Sequence, residues 1–158
     1  MKTRIMKTLT ILAIVGILPA LALSCSPALA CNTIDNGFKC ITVHGQVVNN
    51  DFGFPLPLTL DIKLAGFQKA LIGTGTSEDP ACGTSIIVVT GSINGHTLTL
   101  SGWVIKGIDT PQLKGTKVQL IADCQSGWMT YTFGPISQGL PLSGLTFVFT
   151  GAGTVSIN

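Results

Sequence analysis

Period-two alternation dominates the chain after residue 40: in successive runs apolar side chains return at every second position, and threonine is the commonest residue between them. Ile41, Val43 and Val47 are separated by Thr42, His44 and Gln46. Leu58, Leu60, Ile62 and Leu64 alternate with Thr59, Asp61 and Lys63. The same rhythm runs through Leu98–Leu100, Val118–Ala122, Met129–Phe133, Leu145–Phe149 and Val155–Ile157. A period of two places alternate side chains on opposite faces of a strand, so each segment is a half-buried β-strand. Threonine fits the wet face because its branched β-carbon suits the pleat and its hydroxyl tolerates water.

Turn signals divide these runs. Asn94-Gly95 lies between Ile86–Ile93 and His96–Ile105, and an Asn-Gly pair between strand-like runs is a strong hairpin signal. Gly151-Ala152-Gly153 is expected to turn the last two strands in the same way. Longer Gly-, Pro- or Asp-rich breaks fall at 49–57, 73–83, 106–115 and 134–144. Leu60–Leu71 fits two readings: a strand pair broken at Gly66, or a helix with Leu60, Leu64, Phe67 and Leu71 on one face and Gly73 at its end. The expected fold is all-β, an antiparallel barrel or sandwich of about eight to nine strands, because a sheet with one apolar face closes on itself or on a second sheet.

The first 30 residues read differently. Lys2, Arg4 and Lys7 precede an apolar run from Leu9 to Leu23, then Ala28-Leu29-Ala30, the layout of a secretory signal peptide. Residues 31–158 are then a single exported domain, secreted or periplasmic. Ala22-Leu23-Ser24-Cys25 and Ala28-Leu29-Ala30-Cys31 each resemble a lipoprotein processing box, although Ala stands where Leu is usual. Lipidation at Cys25 or Cys31 is the alternative, and it would anchor the domain to a membrane rather than span it.

Without the leader the charge balance reverses. Residues 31–158 hold six lysines, seven acids and no arginine, so the excess of positive charge belongs to the leader alone. A domain without arginine or a basic stripe has nothing to grip phosphates or guanine edges, which excludes a nucleic-acid partner. Cys31, Cys40, Cys82 and Cys124 remain. In an oxidising compartment an even count reads as two disulfides, expected as Cys31–Cys40 and Cys82–Cys124. No C-x-x-C is present and no histidine neighbours a cysteine in sequence, so no metal site is expected.

Catalytic patterns are missing from the sequence. There is no G-x-S-x-G elbow, Gly73-Thr74-Gly75-Thr76 lacks the lysine of a phosphate loop, and no cofactor motif occurs. His44 and His96 have no spacing that brings them together, and Glu78-Asp79 reads as a solvated turn before Pro80. The one repeated tripeptide is Ser101-Gly102-Trp103 and Ser126-Gly127-Trp128. Both tryptophans keep phase with the polar set of their strands, and aromatics on such faces mark contact surfaces. The lipocalin signature separates Gly from Trp by one residue near the first strand, and this chain does not match it. The expected ligand-binding residues are therefore Trp103, Trp128 and Tyr131, and the expected function is a binding module for a small apolar or uncharged ligand. The alternative is a secreted structural or surface-interaction domain without a pocket.

Overall fold

The structure is a computed structural model that describes residues 37–51, 54–80, 82–136 and 143–158. Eight antiparallel strands, each paired with its sequence neighbours, form a closed barrel. They are β1 Phe38–Asn49, β2 Leu56–Phe67, β3 Ala70–Asp79, β4 Gly83–Asn94, β5 Thr97–Gly107, β6 Lys117–Asp123, β7 Trp128–Phe133 and β8 Phe147–Ile157. The barrel closes where β1 meets β8, from Ile41 opposite Ile157 to Val48 opposite Thr150. Closure leaves no free edge, and the choice between barrel and sandwich is settled for the barrel.

The alternation read from the sequence is the inside–outside alternation of this barrel. Every strand contributes to one buried cluster: Ile41, Leu60, Leu71, Ile87, Leu100, Leu120, Tyr131 and Phe149 represent β1 to β8 in order. Large and small residues also alternate around the interior. One inward row reads Leu64, Gly73, Val89, Gly102 and Val118 from β2 to β6. Eight strands enclose a space that side chains just fill, and alternating sizes let them interlock.

Three local expectations are corrected. Gly151-Ala152-Gly153 is not a turn: β8 runs unbroken through it, alongside Gln46 and Gly45 of β1. A Cβ on Gly153 would lie 2.1 Å from the His44 carbonyl oxygen, so the glycines permit close approach of two strands rather than reversal. The segment 60–71 is a strand pair, but it turns at Gln68-Lys69 and not at Gly66, and the break expected from Gly73 starts only after Asp79. The Asn-Gly hairpin forms one residue later than read: Asn94 pairs with Thr97, leaving Gly95 and His96 in the turn with Gly95 at φ 59°.

The two ends differ. Short turns at 68–69, 95–96 and 124–127 make a hairpin end, while the connections after β1, β3, β5 and β7 make a loop end. At the loop end a 3-10 turn, Pro111–Leu113, seats Leu113 over the core, and Ile136 is buried there too. Asn49 donates one hydrogen bond to the Val148 carbonyl at 2.9 Å and another to the Asp51 carboxylate, tying the β1 exit to β8.

Candidate functional site

Trp103 projects from the outer wall. It lies level with Val88 on β4 and with Lys117 on β6, and 53% of its surface is exposed. Beside it the β4–β5 register shifts between Ile86 and Ile87, so that Ile105 and Lys106 both face outward. One step along the strands, Ser101, Gln119 and Thr132 form a row across β5, β6 and β7. These side chains border a shallow groove of about 360 Å3 whose floor includes Gly102 and Val118. The amide of Gly134 donates to the Lys117 carbonyl at 2.9 Å and closes the β7 side. Among the described residues the groove combines an indole, three uncharged hydrogen-bonding groups and one lysine, with no carboxylate in its lining.

The other two expected ligand residues stand apart from this groove. Trp128 is 55% exposed on the same wall, at the hairpin end of β7. The stretch from Lys117 to Asp123 lies between the level of Trp103 and that of Trp128, about 20 Å at about 3.3 Å per residue. Trp128 is positioned by a turn in which Asp123 accepts from the amides of Gln125 and Ser126 and from the Ser126 hydroxyl, while the Trp128 amide donates to that hydroxyl. Hydrogen bonds from Ser126, the backbone one foremost, hold the Asp123 carboxyl below the usual carboxylate range.

Tyr131 points the other way, fully buried between Phe133 and Phe149 with ring centroids 6.4 and 6.3 Å away. Burial pushes its ionisation far above the ordinary phenol value, the charge of Asp79 adds to the rise, and Ser77 opposes it. The Ser77 hydroxyl is near enough to act on the phenol, but among the described residues no group meets the Tyr131 hydroxyl with regular hydrogen-bond geometry. Tyr131 is a core residue, inaccessible from the outer wall.

The Cys82–Cys124 disulfide is also corrected: the two cysteines are not joined to each other. Cys82 precedes β4 at the loop end. The Cys124 amide donates to the His96 carbonyl in the turn that follows β4. A 12-residue strand of about 40 Å therefore lies between their levels. A disulfide needs Cα atoms about 4.4–6.8 Å apart. Burial, helped by Asp79, pushes the Cys82 thiol up, which keeps it in the unreactive protonated form. Cys31, and so the Cys31–Cys40 pairing, lies outside the described residues, as do the leader and Cys25.

One pairing escaped the sequence. His44 Nδ1 and Asp61 Oδ1 are 2.6 Å apart on the outer faces of β1 and β2, both side chains more than half exposed. They are 17 residues apart in the chain and meet only through the β1–β2 register, which alternation alone does not set. Their surroundings are an open wall, and no group of three metal-ligating side chains occurs among the described residues.

Comparison with protein-family models, with curated proteins and with solved structures finds no match to this chain. The function therefore rests on the residues themselves.

Proposed function

We propose that the chain is an exported binding module that holds a small, uncharged, partly apolar ligand on its outer wall, with Trp103 as the anchor. The observation that carries this is the half-exposed Trp103 beside a groove of about 360 Å3 bordered by three uncharged polar side chains and a single lysine. That volume is within the range of small-molecule sites, about 300–1,000 Å3, and an exposed indole offers a large rigid contact at low entropic cost. The inward side chains are packed into a core, which favours the wall over the barrel interior as the binding surface. Export is supported by the basic, apolar and A-x-A order of residues 1–30.

A surface-interaction domain is the second reading. Phe38 and Phe67 favour it: they meet edge to face at 5.8 Å near the hairpin end and remain 49% and 56% exposed.

The mass of the exported protein under native and denaturing spray separates the two. A native mass exceeding the denatured one by a discrete small-molecule increment, lost in Trp103→Ala, supports the binding module. Whole multiples of the chain mass with no increment favour the interaction domain instead.

A further inference from the structure

The groove chemistry also identifies a ligand class. Resting on the binding-module reading above, we infer that the Trp103 groove takes the pyranose ring of a saccharide. A sugar ring has an apolar C–H face bordered by equatorial hydroxyls, and the wall supplies the counterpart of each. Trp103 provides a half-exposed aromatic plate. Beside it Ser101, Gln119 and Thr132 form a register row on three adjacent strands, so their anchoring positions repeat at about 4.8 Å. A hydroxyl, an amide and a hydroxyl in that order donate and accept without charge, which matches groups that themselves do both.

Lys117, level with the indole, adds a donor to ring or hydroxyl oxygen, and the missing carboxylate leaves the groove without a charge that would demand a cationic partner. A purely apolar ligand would leave these polar groups without partners, whereas a saccharide satisfies them. The shallow, open shape suits a chain of rings lying across the strands better than an enclosed monomer.

The test is isothermal titration of the exported protein with neutral oligosaccharides of three to six β- or α-linked hexoses and of N-acetylhexosamines. Binding of at least one series is expected. Trp103→Ala should weaken it at least tenfold and Gln119→Ala at least threefold, while Trp128→Ala leaves it unchanged. Denaturant midpoints of the three variants exclude misfolding as the cause. If no series binds while native mass still shows a Trp103-dependent small-molecule increment, the saccharide assignment is overturned and the binding site stands. If no series binds and no such increment exists, both fall. Binding that survives Trp103→Ala but is lost in Trp128→Ala moves the site and overturns the assignment of this groove.

Discussion

Trp103 and Lys117 sit directly opposite each other on the β5–β6 ladder, and Val88 stands opposite Trp103 on the β4 side. The pair places an apolar plate and a lysine beside the uncharged row of Ser101, Gln119 and Thr132. Because both residues stand on a closed, hydrogen-bonded barrel rather than on a loop, the spacing of their backbone positions is fixed, which would lower the ordering cost of the proposed binding.

Trp103→Ala and Trp128→Ala are expected to shift unfolding free energy by no more than about 1 kcal/mol each, since half-exposed residues away from the core contribute little to folding. Their functional effects should diverge, with ligand retention lost only in Trp103→Ala. Urea denaturation alongside native mass of each variant checks both halves.

Tyr131→Phe is expected to hold or raise stability, by up to about 2 kcal/mol, because the hydroxyl it removes is buried with no hydrogen bond of regular geometry among the described residues. Tyr131→Ala should cost about 3–5 kcal/mol through the cavity it opens. The same residue makes a pH prediction. Its folded ionisation lies well above the ordinary value of 10.0, so the folded state holds the proton more tightly than the unfolded one. The stability this gives is complete below pH 10 and falls as pH rises beyond it. Tyr131 is the only tyrosine, so tyrosinate absorbance in an alkaline titration should appear together with loss of the β-sheet circular dichroism and not before.

Gly102→Ala is expected to destabilise by about 1–3 kcal/mol, because the new Cβ would lie 1.8 Å from the Val88 carbonyl oxygen and the two strands must separate. Ser101→Ala, on the exposed face of the same strand, should change stability by less than about 0.5 kcal/mol. Thermal denaturation of the two variants makes the comparison.

Much of the fold was legible because one physical signal, the two-residue period, recurs in most of the strands, whereas β3, with Gly73 and Ser77 at buried positions, carries little of it and read as a break. The inward sets Leu58–Leu64, Val118–Ala122 and Met129–Phe133 all face the core as read. What failed were glycines and distances. Gly151 and Gly153 look like turn residues in sequence, yet inside a tightly curved barrel they serve close packing of β8 on β1. Met129, Tyr131 and Phe133 were correctly placed on one face, and for Tyr131 that face is what removes it from the outer wall. Trp103 and Trp128 share a tripeptide and a wall, but register and strand length put them about 20 Å apart. Register also decides His44–Asp61 and excludes Cys82–Cys124, and neither is written in local pattern.

Cys124→Ser should leave thermal stability nearly unchanged. Loss of a native disulfide closing a loop of that length would cost about 4 kcal/mol, and no such loss is expected. Peptide mapping of the unreduced protein should yield no fragment linking Cys82 to Cys124.

The most direct test of the account is a pair of single-tryptophan proteins, Trp128→Phe and Trp103→Phe, titrated with the oligosaccharide panel while indole emission is followed. A saturable blue shift is expected when Trp103 is the reporter and no change when Trp128 is. A shift confined to Trp128, or none from either indole, would contradict it.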